Sequence, residues 1–336
     1  MEPDKKKELL IKTEPETDPR FGCIPEMRKL PEYLKFGVVN IDKPPGPSSH
    51  QVSSYVKEIL HLNKTGHAGT LDPRVTGCLP VELENSVKTV RTLLSYGKEY
   101  VCVMKLQSTA AKKRVKKLLK YFCGEIYQKP PLKSAVKRQL RTRNIYYIKF
   151  LEKDENYVLF RVGCAAGTYI RKLCHDVGLI LGTGANMQEL RRTKAGPFDE
   201  SSLVTLHDLK DAYIFYEEDG DEKYLRKLIH PVEFGVRHLK KIWVNDSTIS
   251  ALCHGANLYA PGVVKLQTGI ERDDLIAIFS LKDELVALGR TLNNSDAIYD
   301  SQKGAVVELN RVIMDKDVYP RVWKKKENKD EYQNNI

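Results

Sequence analysis

The segment GHAGTLDPRVTG, residues 66–77, holds a single carboxylate, Asp72, between Leu71 and Pro73 and among three glycines. An acid on such a loop can cap a helix, ligate a metal or attack a substrate. Hydrolysis by paired carboxylates needs a second acid across the scissile bond, and the next two acids, Glu82 and Glu84, fall in or beyond an expected strand. A metal centre gathers several ligands, whereas this stretch offers only His67 and Asp72. One carboxylate can still serve as nucleophile or base if a neighbouring cation keeps it ionised. The segment AAGTYIRKL supplies such a cation, Arg171, at the start of an expected helix behind a glycine turn. On these residues alone Asp72 reads equally as a turn residue and as a catalyst.

The elements that must position these residues are mixed. Residues 36–41, FGVVNI, form a short β-branched run that predicts a buried strand. The following DKPPGPSSH carries three prolines and a glycine and excludes regular structure. Val52, Tyr55, Val56, Ile59 and Leu60 then recur at helical spacing, with Ser48 or Ser49 placed as the cap. Strand character returns at residues 100–106 and 157–164, and a helix is expected over 205–217. Val115, Leu118, Leu119 and Phe122 make an apolar stripe whose opposite, lysine-rich face reads as ordinary solvated surface or as an RNA contact. Helices and strands without a βαβ rhythm predict an α+β fold.

From about residue 239 the runs KIWV, GVVKL, LIAIF, LVALG and AVVEL predict short strands of a small β-barrel-like module. The charge- and proline-rich residues 1–35 read as an extension that packs on something else or stays mobile. The expected division is thus an extension over 1–35, one domain over 36–238, a second over 239–316 and a basic, disordered tail over 317–336.

The chain has 336 residues, 41% apolar and 29% charged, as in globular proteins. No apolar run reaches membrane-helix length, and the charged amino terminus does not read as a secretory signal. Seven scattered cysteines without a CxxC pair argue for reduced thiols and against a zinc site or a disulfide framework. A formal charge of +11 and a pI near 9.1 point to a polyanionic partner, or to a merely basic surface.

The ordered set GVVNIDKPPGPSSH, GHAGTLDPRVTGCLPV, GKEYV, GEIYQKPPLKSAVKRQLRTRNIY, CAAGTYIRKLCHDVGLILGTGANMQELRRTKAGPF and RVIMDKDVYPRVW resembles the TruB family of pseudouridine synthases, over about residues 30–323. Its spelling is most similar to the branch that works in H/ACA guide-RNA particles. The resemblance implies a synthase domain with a mixed, mainly antiparallel sheet and a carboxy-terminal PUA domain near which the amino-terminal extension packs. It also implies isomerisation of uridine to pseudouridine without a cofactor. The implied catalytic set is Asp72, acting at the sugar, Tyr100, stacking on the base and moving the C5 proton, and Arg171, pairing with Asp72.

Tyr169 and Leu190 match positions that line the base pocket. His67 is a candidate RNA contact or a structural histidine, and Lys43 a support for the loop, a phosphate contact or a solvated lysine. The glycines at 66, 69 and 77 would let backbone approach an extruded nucleotide. Implied partners are an H/ACA guide RNA, a ribosomal RNA substrate with small nuclear RNA as a further target, and three small particle proteins; no membrane is involved. Implied locations are the nucleus and nucleolus, with lysine runs near each end as candidate signals. The alternatives are a stand-alone tRNA enzyme and a scaffold that stabilises guide RNA. Two departures stand out: PVELENSV after the catalytic motif, and the stiffening Pro45 and Pro47.

Overall fold

The computed structural model describes residues 8–130 and 137–321. The expected tail from 322 onward and both terminal lysine runs lie outside these residues. The described residues divide into two compact units, one within 29–238 and the other formed by 8–28 together with 239–321.

The first unit is built on a ten-stranded sheet. At its centre, Gly37–Lys43 pairs antiparallel with Thr76–Leu83, which runs parallel to Ala185–Ala195 through Thr76↔Arg191 and Gly77↔Arg192. Lys98–Leu106 pairs antiparallel with Ala185–Ala195 on one side and Tyr157–Cys164 on the other. One parallel junction among antiparallel partners makes the sheet mixed, mainly antiparallel, and the architecture α+β. Gly37–Lys43 is almost wholly buried, which explains its continuous apolar run.

Helix Ser49–Ile59 starts at Ser48, whose side chain accepts from Gln51 N–H in a complete capping box. Helix Leu206–Asp219 begins the same way, with Thr205 and Asp208. In Lys112–Tyr121, Val115 and Leu119 are buried and the lysines face outward, so the apolar stripe is a packing face.

Glu82 is fully buried in Thr76–Leu83, and neither carboxyl oxygen finds a partner on another described residue. Burial raises its pKa well above the ordinary glutamate value. The native state therefore keeps a proton that the unfolded chain releases above about pH 4.3. The stability contribution is complete below that pH and is lost as pH rises towards the folded value, at about 1.4 kcal/mol per unit. Glu82→Gln is expected to flatten this decline between about pH 5 and pH 8. Equal slopes for both proteins in urea melts would refute a buried, protonated Glu82.

The second unit is a seven-stranded sheet in which Leu9–Ile11 of the extension adds antiparallel to Val263–Gln267. Lys240–Val244, Leu275–Phe279, Leu285–Thr291 and Ala305–Val312 supply most of the remaining strands. Its core includes Ile242, Val244, Ile276, Ile278 and Val307, with Leu10 and Phe21 of the extension against it.

Glu284, 2% exposed, fastens both ends of the unit. One oxygen accepts from Tyr319 Oη at 2.7 Å and Ser280 Oγ at 3.0 Å, and the other from Cys23 N–H at 3.1 Å. Burial and the facing carboxylate push the Tyr319 hydroxyl far up. Glu284→Ala removes the acceptor shared by Tyr319, Ser280 and the Cys23 N–H, an expected loss of about 3 kcal/mol. Limited proteolysis within residues 8–28 should accelerate with it; an unchanged rate would show that the strand pairing alone holds the extension.

Candidate active site

Asp72 sits on a turn closed by Val75 N–H donating to Asp72 O at 2.9 Å. Four residues clamp the loop around it. Ser49 Oγ binds both backbone groups of Leu71, at 2.8 and 3.1 Å. Lys43 Nζ donates to Pro44 O, Pro73 O and Val75 O at 2.9–3.0 Å. Gly46 N–H reaches Pro73 O at 2.9 Å, and Arg192 Nη2 reaches Gly69 O at 3.1 Å. The backbone is thus fixed on both sides while the Asp72 side chain stays half-exposed.

Arg171 donates through Nη2 to Asp72 Oδ2. It stands near the start of helix Ile170–Leu181, whose cap, Tyr169, is held by both of its backbone groups to the Gln128 side chain at 2.9 and 3.1 Å. This pair of hydrogen bonds sets the height of the helix start and therefore where Arg171 meets the loop. Both charges keep about half their surface in solvent, so the pair contributes little to stability. Its effect is to aim the carboxylate.

Tyr100 is half-buried at the start of its strand, opposite Arg192 and Val162 on the neighbouring strands. A bulge between Glu99 and Tyr100 re-aims it. Burial raises the Tyr100 hydroxyl pKa; Arg192 opposes this, while Cys164 and Asp72 reinforce it. Leu190, half-buried opposite Cys102, packs on the same cluster as Tyr100. Asp72, Tyr100 and Arg171, 28 to 99 positions apart in the chain, are thereby gathered at one place.

The remaining sequence candidates separate. Lys43 is fully buried, with its three hydrogen bonds on loop carbonyls, so it supports the loop and has no proton left for a phosphate. Of its three expected readings, these contacts are those of a support for the loop. His67 lies on the short strand Thr65–His67, half-buried, with Nδ1 unpartnered; burial, then Arg192 and His50, depress its pKa. Ser49, Gln128 and Arg192 are site residues that sequence reasoning missed. Only Arg192 carried a signal, a charge within a strand. No group of three or more His, Cys, Asp or Glu able to hold a metal occurs among the described residues.

Comparison with known proteins shows the family of the chain. Residues 57–170 match the model of the TruB family pseudouridylate synthase N-terminal domain, and 171–237 that of the tRNA pseudouridylate synthase B C-terminal domain. Residues 240–313 match the PUA domain and 2–53 the DKCLD domain. The chain belongs to the TruB family and is an RNA pseudouridine synthase.

Its narrower likeness is to dyskerin, called Cbf5 in the solved complexes. A Cbf5-Nop10-Gar1 complex is similar at 53% identity and TM-score 0.91 over 94% of this chain and 97% of that one. A structure of an H/ACA RNP bound to a substrate RNA containing 2'-deoxyuridine is similar at 50% identity and TM-score 0.90, covering 95% and 98%. Among curated proteins, "Probable tRNA pseudouridine synthase B" of Thermococcus kodakarensis is 53% identical over 96% of both chains. The protein of the same name from Pyrococcus furiosus is 52% identical over the same shares.

Proposed function

We propose that this chain is the catalytic subunit of an H/ACA-type guide-RNA particle that isomerises uridine to pseudouridine in ribosomal RNA, in support of ribosome assembly. The observation that carries the reading is the near-full-length likeness, through both units, to a chain of an H/ACA RNP bound to a substrate RNA. Guide RNA and small proteins of the Nop10 and Gar1 kinds are the corresponding partners. The basic balance of the chain suits such an assembly. Residence in the nucleus and nucleolus belongs to the same proposal and is read by tagging the protein in cells.

In this reading the C1′–N1 bond breaks, the base turns over, and C1′ joins C5. C5 loses a proton and N1 gains one, so atoms and electrons balance within the substrate. Asp72, aimed by Arg171, acts at the sugar, either on C1′ or on the C2′ proton. Tyr100 faces the base and moves the C5 proton, and Tyr169 and Leu190 bound the pocket that receives the extruded nucleotide.

The test is reconstitution with guide RNA and the small proteins, followed by mapping of pseudouridine in ribosomal RNA fragments. Modification that requires the matching guide is expected. The names of the curated relatives favour a second reading, a tRNA enzyme, which efficient modification of tRNA without a guide would select. A particle that binds guide and substrate but modifies neither would indicate a scaffold.

A further inference from the structure

Arg192 is 1% exposed, yet its guanidinium forms no ion pair with a carboxylate among the described residues. Nε donates to Cys78 O at 2.7 Å and Nη2 to Gly69 O at 3.1 Å. Two neutral carbonyls compensate a buried cation only in part. The nearby acids are committed elsewhere: Asp72 to Arg171, Asp42 and Glu200 to Arg191, and Glu99 to Tyr147 and Thr193. Antiparallel register sets Arg192 directly opposite Tyr100, on the same face of the sheet.

We infer that Arg192 is a positioning residue for Tyr100, a fixed buried cation whose counter-charge is the Tyr100 phenolate, the form that takes the C5 proton. The inference rests on the proposed role of Tyr100. After C1′–C5 bond formation the phenolate takes the proton from C5, and the C–H electron pair restores the conjugated ring. The phenol so formed returns a proton to N1, which regenerates the phenolate. No oxidant, reductant or external reactant enters. The groups facing Tyr100 are Arg192 from one neighbouring strand, Cys164 from the other, and Asp72 from its loop, with Lys98 on the same strand. Of these, Asp72 and a thiolate at Cys164 oppose a phenolate. Arg192 favours it, and Lys98 is turned onto the carbonyls of Leu93, Leu94 and Tyr96. The same guanidinium depresses the pKa of Lys98, which burial first and Arg192 second bring to about 8.

The test compares Arg192→Met and Arg192→Lys with the parent in the reconstituted particle. Arg192→Met is expected to lower the single-turnover rate about 100-fold, with its pH optimum moved upward and RNA affinity retained. Arg192→Lys, which keeps the charge, should recover at least a tenth of the parent rate. Because Arg192 also holds Gly69 and Cys78, the phenol is read separately. Fluorotyrosine placed at position 100 and titrated by fluorine NMR in the free protein should show a higher pKa in Arg192→Met than in the parent or Arg192→Lys. An unchanged titration in folded Arg192→Met, or a rate loss of equal size in Arg192→Lys, would overturn the inference. A parent particle without pseudouridine activity would instead overturn the functional reading, leaving the titration to report on the pair.

Discussion

Asp72→Asn is expected to lower pseudouridine formation by about 10⁴-fold or more while leaving RNA affinity within about threefold, as removal of a reacting group does elsewhere. The substitution keeps the shape of the side chain and its contact with Arg171 but removes the charge that either route at the sugar requires. Folding should be nearly unaffected. The loop is held by Ser49, Lys43, Gly46 and Arg192 through backbone groups, and the Asp72 side chain is half in solvent. Single-turnover release of the C5 proton from labelled RNA measures the chemistry apart from binding. A loss of less than tenfold would remove Asp72 from the reaction.

Gly77→Ala is expected to act on the fold and the site together, at about 3 kcal/mol or more. Gly77 has φ +98°, and a Cβ there would lie 2.2 Å from the carbonyl oxygen and 2.9 Å from the nitrogen of Arg192. Both obstacles are backbone, so no rotamer change relieves them. The junction between Thr76–Leu83 and Ala185–Ala195 must open, and it is this junction that sets the Asp72 loop beside Arg192 and Tyr100. Denaturant melts should show the loss, with activity falling even where the protein remains folded. Gly46→Ala is the control: it too has positive φ, +112°, but open space around its Cβ. Equal effects at both positions would mean that backbone conformation, and not the strand contact, governs Gly77.

The names attached to the relatives and to the solved structures pull in two directions, tRNA for the former and guide-RNA particles for the latter. In the proposed reading the Asp72, Tyr100 and Arg171 arrangement would serve either substrate, because the reacting atoms of uridine are the same. What divides them is how the uridine is presented, and dependence on a guide measures that directly.

Some of this was legible along the chain because it follows from local rules. The buried run GVVNI, a serine cap at position 48 or 49 and the apolar stripe of Lys112–Tyr121 depend on near neighbours alone. The family motifs marked Asp72, Tyr100 and Arg171, although residue chemistry by itself left Asp72 undecided between turn and catalyst. Tertiary structure decided what each charge does. Lys43, left open between loop support, phosphate contact and solvated lysine, is buried and spent on carbonyls, and so is Lys98. Glu82, which looked unremarkable, is a carboxyl sealed from water. The roles of Lys43 and Arg192 depend on partners brought near by the sheet from 30 or more positions away, and the state of Glu82 depends on burial alone. Composition and periodicity carry information about the period of an element, not about which distant carbonyl or hydroxyl its charged side chain will meet.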